Sequence, residues 1–238
     1  SLTTYFGHDD GNPTTPETVR APTPWTQHDA AKAAFLLNVT GEETVDFETG
    51  YVDDQVNPLT LTFSVLGTAT LSVSSGFINQ VIPPATNGTG RYGTSGEFYY
   101  STGATGDDLL TFSRTDITAF GYSGVDVGDF AGQLQVTVHF VDTTTEVWEP
   151  PHMVGALGAS PVAGSVAFFG IPATKPIATV EFGNTAAGSD VFALDDFIIA
   201  LAMAPIGVPG APSTCGAPLI VSSCPQLCAV TVPAPTLV

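Results

Sequence analysis

Two short acidic motifs, Asp46-Phe47-Glu48 and Asp195-Asp196-Phe197, lie near the two ends of a long stretch of strand-forming sequence. The whole chain has 23 acidic residues and only five lysines and arginines, so few cations are available to neutralise carboxylates that converge. Oxygen ligands of this kind suit a hard divalent cation. If the first and last strands are neighbours, we expect Asp46, Glu48, Asp195 and Asp196 to form a structural calcium site. Solvated carboxylates at a sheet edge are the alternative.

Neighbouring residues of a strand point to opposite faces, so we expect only one of Asp195 and Asp196 to bind the ion through its side chain. Asp126 and Asp129 form a second candidate metal site in a glycine-flanked loop. Aspartate in such a loop is also expected from turn chemistry alone, and we favour that interpretation for this second pair.

Motifs of the common enzyme classes are absent from the sequence. It has no G-x-S-x-G, no H-E-x-x-H, no phosphate-binding P-loop and no metal-binding spacing of cysteine and histidine. The four histidines, His8, His28, His139 and His152, are dispersed. Because a glycoside hydrolase needs only two well-placed carboxylates, that class stays a minor alternative to a protein without catalytic activity.

Aromatic side chains that stack on sugar rings would indicate a carbohydrate-binding surface. Trp148 is the best candidate for an exposed ring, because Glu149 and the Pro150-Pro151 pair follow it. Tyr92 is a second candidate. For both residues, burial in the core is the alternative.

The three cysteines, Cys215, Cys224 and Cys228, all lie in the last segment of the chain. A disulfide between Cys215 and either of the others would leave one thiol over. That thiol either pairs with another chain or stays free. The rest of the chain has no cysteine, so its stability cannot depend on disulfides.

The formal net charge of -18 excludes a basic surface of the kind that nucleic acids and anionic membranes require. Hydrophobic residues make up 43% of the chain, which is enough for a substantial core.

No segment of about 20 apolar residues is present. Ser1 at the start suggests that an export signal has been removed, and the sequons at Asn38 and Asn87 are compatible with a secreted glycoprotein. We therefore predict a secreted or cell-surface protein.

The chain divides by pattern into three parts. Residues 1–27 are rich in threonine and proline and predict an extended arm, either a loose tail or a strand added to a sheet edge of its own or another chain. Residues 28–204 predict the folded domain, and 205–238 a C-terminal extension. Asp29 is a plausible N-cap for one short helix over residues 30–37.

From residue 47 to 201 the pattern is that of β-strands. Leu59 to Val65 and Leu134 to Phe140 alternate between apolar and polar residues, and Val191 to Leu201 is the most apolar stretch. Clusters of glycine with asparagine or aspartate separate the strands at intervals typical of antiparallel sandwiches. We predict an all-β, jelly-roll-like antiparallel sandwich with one short N-terminal helix and extended termini.

Several segments together resemble secreted bacterial β-sandwich domains of PEP-CTERM-sorted proteins: Phe35-Leu36-Leu37, Val45-Asp46-Phe47-Glu48, Ile117 to Tyr122, Asp126 to Phe130, Val166 to Gly170, Val180 to Thr185 and Leu194 to Phe197. The closing Val232-Pro233-Ala234-Pro235 resembles the start of that family's sorting tail. The resemblance implies export and a surface or matrix role. The first-strand and last-strand acids also resemble jelly-roll carbohydrate-binding modules, which implies structural calcium at Glu48 and Asp195 with Asp46 and Asp196 nearby.

These observations favour an extracellular structural or adhesive subunit, stabilised by calcium, that self-associates into a filament or matrix through its terminal segments. Low lysine content supports self-association, because sheet edges then lack their usual charged protection. The alternative is a lectin-like module that binds a polysaccharide. We expect no nucleic-acid partner and no membrane insertion.

Overall fold

The computed structural model of the protein describes residues 3–9, 25–51, 58–73, 80–82, 91–103, 108–127, 134–150, 165–184 and 191–203. All of them belong to Ser1–Ala204, one of two units into which the chain divides. The other unit, Pro205–Val238, lies outside the described residues, and so do its three cysteines. Asn87 and Asp129 also lie outside them.

The described residues form one helix and two antiparallel sheets. In chain order the elements are β1 (Tyr5–Asp9), α1 (Thr26–Leu36), β2 (Val39–Val45), β3 (Leu59–Phe63), β4 (Gly67–Val73), β5 (Gln80–Ile82), β6 (Tyr99–Gly103), β7 (Asp108–Phe112), β8 (Ala119–Val125), β9 (Leu134–Phe140), β10 (Thr145–Trp148), β11 (Val166–Pro172), β12 (Ile177–Asn184) and β13 (Val191–Ala202). Sheet A has the order β1-β11-β8-β13-β6-β5, and β2 also pairs with β13. Sheet B has the order β10-β9-β12-β7-β4-β3.

This architecture confirms the predicted antiparallel β-sandwich with one short helix. Sheet B shows the predicted alternation, since Leu59, Leu61 and Phe63 are buried and the threonines between them are exposed. Buried side chains from both sheets form one hydrophobic core, in which Phe120, Tyr122 and Phe197 contact Phe182. Burial of apolar area between the two sheets is therefore the main force that holds them together.

Sheet A differs from sheet B because both of its faces are covered. All seven residues of β8 are buried. On the face away from sheet B, helix α1 places Phe35 against Phe168, and Trp25 packs against Tyr92. A strand buried on both faces loses the apolar–polar alternation, which explains the continuous apolar run of β13.

Helix α1 begins earlier than predicted, at Thr26, and Asp29 is in its first turn rather than at its N-cap. The cap comes from the preceding strand: the carboxylate of Asp9 accepts hydrogen bonds from the backbone N–H groups of Gln27 (3.0 Å) and His28 (2.8 Å). Such a long-range cap leaves no local sequence signal. Within the described part of the chain, no helix is long and apolar enough to cross a membrane.

The first described residues form β1 at the edge of sheet A, antiparallel to β11 of the same chain. Of the two structures predicted for residues 1–27, the strand on its own chain's sheet edge is the one present over Tyr5–Asp9. Gly7 lies directly under α1, and a Cβ atom there would be 1.9 Å from the carbonyl oxygen of Gln27. The close contact between β1 and the helix therefore requires glycine at this position.

Candidate functional site

Strand β2, which ends just before the first acidic motif, lies beside the last strand, β13, as the calcium prediction assumed. β2 pairs with the second half of β13, with Val45 opposite Phe197, and β6 pairs with the first half, with Tyr100 opposite Leu194. Asp195 and Asp196 lie between the residues of β13 that pair with β6 and those that pair with β2. A β-bulge occurs here against β8, and Asp196 has a left-handed backbone with φ of 49°.

Asp195 is fully buried, and its carboxylate holds a loop in place. Its Oδ2 atom accepts hydrogen bonds from the backbone N–H groups of Thr94 (2.7 Å) and Ser95 (3.1 Å) and from the Thr94 hydroxyl (2.9 Å). Burial raises the pKa of the Asp195 carboxyl well above its ordinary value, and the charge of Asp196 adds to this rise, although the N–H donors oppose it.

Asp196 faces the same loop, so the expectation that only one of the two acids would point to this side is wrong. Its Oδ2 atom accepts hydrogen bonds from the Thr94 hydroxyl (3.2 Å) and from Lys32 Nζ (2.7 Å), and Oδ1 accepts one from the Ser95 hydroxyl. The bulge is the physical reason, because a left-handed residue interrupts the alternation of side chains along the strand. Lys32, one of the five cations of the chain, forms a salt bridge to this pair from α1.

Glu48 holds the other end of the same loop. Its Oε1 atom accepts hydrogen bonds from the backbone N–H groups of Glu97 (2.7 Å) and Phe98 (2.6 Å). The side chain lies against Gly96, where a Cβ atom would be 2.2 Å from Glu48 Cδ. Asp46 accepts a hydrogen bond from the N–H group of Glu48 (3.1 Å). Three of the four acids, Glu48, Asp195 and Asp196, thus hold residues 93–98, which we call the clasp loop, and Asp46 accepts from the backbone of Glu48.

The charges and hydrogen bonds around Asp195 and Asp196 show which of their atoms could bind the predicted calcium ion. Lys32 supplies one positive charge against two carboxylates, and each Oδ1 atom of the pair accepts one described hydrogen bond, which leaves lone pairs for a cation. Asp195 and Asp196 would hold the ion, and its charge would stabilise their ionised forms. Among the described residues, however, no group of three or more histidine, cysteine, aspartate or glutamate side chains is arranged to hold a metal. The calcium site stays a prediction.

Acidic side chains hold other turns in the same way. Glu43 of β2 accepts hydrogen bonds from the N–H groups of Val65 (2.8 Å) and Leu66 (2.9 Å) in the β3–β4 turn. The buried Asp108 accepts one from the Tyr100 hydroxyl (2.9 Å). Neither acid was predicted from the sequence, because a single acid within a strand has no motif. Many carboxylates of this acidic chain therefore act as acceptors for backbone and hydroxyl groups.

The remaining predicted sites are structural where the structure describes them. Asp126 is buried, has a φ of 63°, and donates its backbone N–H to Ser165 (2.8 Å), as the turn interpretation expects. Asn38 is exposed just after α1, and its Nδ2 atom donates to the carbonyl of Ala34 (2.9 Å). Its side chain is therefore accessible, and glycosylation at Asn38 stays a prediction.

The two aromatic candidates have different environments. Tyr92 is 1% exposed, and its ring contacts Trp25 at 5.8 Å between centroids, so the structure contradicts its role as an exposed stacking platform. Trp148 is half-buried, and one ring face stacks on Phe169 at 4.0 Å. Because Trp148 lies on sheet B and Phe169 on sheet A, this pair packs the edges of the two sheets together.

His28 lies between an aspartate and a serine in the order of a hydrolytic triad. Its Nδ1 atom is 2.9 Å from Asp29 Oδ1, and its Nε2 atom is 3.0 Å from the Ser123 hydroxyl. Ser123 is 0% exposed and His28 only 2%, so a substrate cannot reach either of them in this structure. Burial lowers the pKa of His28, and the Asp29 hydrogen bond only partly opposes this. The arrangement is a buried hydrogen-bonded connection between α1 and β8.

A second candidate surface is the outer face of sheet B. One row of paired residues crosses all six strands and consists of five threonines and one histidine: Thr60, Thr70, Thr111, Thr179, His139 and Thr145. On β3, β4 and β7 the outward positions carry no charged residue. We call this part, made of Thr60, Thr62, Thr68, Thr70, Ser72, Leu109 and Thr111, the threonine face. Neighbouring strands lie about 4.8 Å apart, and within this row the hydroxyl oxygens of Thr111 and Thr179 are 3.5 Å apart.

No protein-family model matches the chain, and no curated protein does. Three solved structures are similar to parts of the chain. The K2 cleaved adhesin domain of Lys-gingipain is 15% identical, covering 68% of this chain and 99% of that domain, with a TM-score of 0.45. TmCBM61, solved in complex with beta-1,4-galactotriose, is 14% identical, covering 65% of this chain and 92% of that one, with a TM-score of 0.34.

The third structure is the family 11 carbohydrate-binding module of a cellulosomal cellulase of Clostridium thermocellum. It is 12% identical, covering 70% of this chain and 98% of that module, with a TM-score of 0.29. At these identities and TM-scores the likenesses assign neither a family nor a function.

Proposed function

We propose that the chain is an extracellular structural or adhesive β-sandwich subunit that self-associates. The threonine face carries this proposal. In a chain with a net charge of -18, two copies repel each other wherever their acidic surfaces meet. A face whose strands present only neutral side chains allows close approach without that repulsion.

The composition of the face also suits adhesion. Threonine presents a methyl group and a hydroxyl group, so the face offers apolar contact and hydrogen bonding at every strand. Five of its seven residues are threonines with restricted side-chain rotamers, which limits the entropy lost on contact. The alternative interpretation is that threonine simply favours exposed strand positions.

Charge substitution distinguishes these alternatives. Thr70→Asp and Thr111→Asp each add one negative charge to the centre of the face, and we expect at least about a tenfold loss in the association constant, because like charges at a contact are costly. Thr44→Asp adds the same charge at an exposed position of β2 in sheet A and is the matched control. Sedimentation velocity measures the association. Equal association of all three variants would contradict the proposal.

A lectin-like function is the second candidate, and the regular row of hydroxyl groups favours it. A neutral polysaccharide lying across β3, β4 and β7 would meet the hydroxyls of Thr60, Thr70 and Thr111 in turn. The test is retention of the protein on immobilised neutral polysaccharides. We expect Thr70→Asp and Thr111→Asp to reduce retention if the face binds sugar, and Trp148→Ala to reduce it if stacking on that ring dominates.

Calcium at Asp195 and Asp196 remains part of the proposal as a stabilising ion. The lone pairs left on the Oδ1 atoms of the two acids support it. Extracellular calcium would also screen the repulsion between packed acidic subunits.

A further inference from the structure

Strand β1 occupies a groove at the edge of sheet A. Its five residues pair in register with Val166 to Gly170 of β11, which is its neighbour in the sheet. Helix α1 forms one wall: Gly7 lies against the helix backbone, and Tyr5 contacts Phe35 at 6.2 Å between ring centroids. On the other side Phe6 contacts Trp148 at 5.7 Å. The groove therefore fits this strand at each of these positions.

The strand also completes hydrogen bonds of the groove. Its backbone groups satisfy the outer edge of β11, and Asp9 accepts from the first-turn N–H groups of Gln27 and His28. If β1 were absent, these backbone groups and the apolar walls would lose their partners, which is unfavourable. The groove is therefore matched to the sequence of β1.

The connection between β1 and α1 is much longer than the distance it joins. Residues 10–24 are 15 residues long, whereas the Asp9 carboxylate already lies 3.0 Å from the Gln27 nitrogen. Fully extended, 15 residues span about 50 Å. A chain of this length, which we call the tether, does not force β1 to pair with its own copy.

We propose that β1 is exchanged between copies: the strand of one copy fills the groove between α1 and β11 of the next. Each copy then gives one strand and receives one, so repetition produces a head-to-tail chain. The exchanged strand makes the same contacts as in its own groove. This inference rests on the proposed function and adds a second contact between copies, at the edge of sheet A, to the one at the threonine face.

Because β1 makes the same contacts in its own groove and in that of another copy, the length of the tether determines which of the two grooves it fills. A tethered strand competes with neighbours at an effective concentration that is about millimolar for a short flexible linker. We therefore expect exchange to grow as the protein concentration approaches that value, and to be trapped once copies fold together.

The test uses a background in which Cys215, Cys224 and Cys228 are replaced by serine. His8 and Ala167 are paired in the β1–β11 register, at a separation that a disulfide can bridge. His8→Cys and Ala167→Cys are made as separate variants, refolded together at high concentration and oxidised. We expect a disulfide-linked dimer from the mixture and at least tenfold less of it from either variant alone.

A shortened tether provides the second measurement. Deleting residues 12–21 leaves five residues, about 17 Å when extended, which still closes the intramolecular connection but not the one between copies. We expect the mixed-variant dimer to fall at least tenfold, while the double variant His8→Cys/Ala167→Cys with the short tether forms its disulfide within one chain.

The outcomes separate the two proposals. Association without a mixed disulfide would overturn strand exchange and leave the proposed function standing. A monomeric protein at every concentration would overturn both.

Discussion

Replacing Gly96 by alanine tests how the acids hold the clasp loop. Gly96 has a φ of 70°, and a Cβ atom there would lie 2.2 Å from Glu48 Cδ. Glu48 would have to move, and its hydrogen bonds from the N–H groups of Glu97 and Phe98 would be lost. The substitution therefore acts through a contact that the sequence does not reveal.

The magnitude follows from two contributions. A left-handed backbone costs a non-glycine residue about 1–2 kcal/mol. Hydrogen bonds to a charged group contribute about 1.5–3 kcal/mol each, and the lower value suits this partly exposed pair. We therefore expect Gly96→Ala to lower the free energy of unfolding by about 4–5 kcal/mol, or the Tm by about 8–20 °C at 2–4 °C per kcal/mol.

Gly41→Ala is the matched control. Gly41 has a φ of 62°, and a Cβ atom there would meet no other atom within 4 Å, so only the backbone contribution applies. We expect a loss of about 1–2 kcal/mol. Thermal and urea unfolding followed by circular dichroism measure both variants.

A double-mutant cycle with Glu48→Ala isolates the contact. Once Glu48 is removed, Gly96→Ala should cost no more than Gly41→Ala does. If Gly96→Ala costs the same with and without Glu48, or no more than the control in the wild-type background, the proposed role of Glu48 is refuted.

Three further predictions concern other parts of the fold. Burial lowers the pKa of His28 in the folded protein, so folding favours its neutral form, and stability is lost as the pH falls below the ordinary pKa of about 6.5. His28→Gln should therefore flatten the dependence of Tm on pH below about 6.5. An unchanged slope would contradict this prediction. Asp9→Ala should cost about 1–2 kcal/mol through the lost helix cap, whereas Asp116→Ala, which breaks an exposed ion pair with Arg114, should cost less; equal losses in urea unfolding would refute the capping role. Calcium at about 100 times its Kd should stabilise the protein by about 2.7 kcal/mol. EDTA should reverse this stabilisation, and Asp196→Asn should abolish it. A Tm that calcium does not change would refute the calcium site.

Periodicity predicted much of the fold. Apolar residues at every second position of β3 and β9 fix their inward faces, since a shift of one residue would expose the whole set. The calcium prediction assumed that the strand before Asp46 lies beside the strand that carries Asp195 and Asp196, and the pairing of β2 with β13 agrees with that assumption.

Other features depended on contacts between distant residues. The β-bulge at Asp196 is a change in backbone conformation within a continuous apolar strand, and the sequence does not show it. The expected alternation therefore placed the side chains of Asp195 and Asp196 on opposite faces, whereas both contact the clasp loop. Asp9 caps a helix that begins 17 residues later, and no local pattern reports such a cap. Tyr92 is buried because Trp25 and α1 cover sheet A, which a two-layer expectation leaves exposed.

The threonine face could not be predicted from the sequence, for a different reason. Each threonine is an ordinary residue of its own strand, and only the register across six strands aligns them into one row. Sequence alternation predicts which side faces water, but the pairing of strands far apart in the chain determines what that side presents.

Sedimentation velocity of the intact chain, from low micromolar to about millimolar concentration, tests the central claim most directly. A subunit that self-associates should show a weight-average sedimentation coefficient that rises with concentration, with species larger than a dimer at the upper end. A single monomeric boundary throughout that range, with and without calcium, would contradict the account.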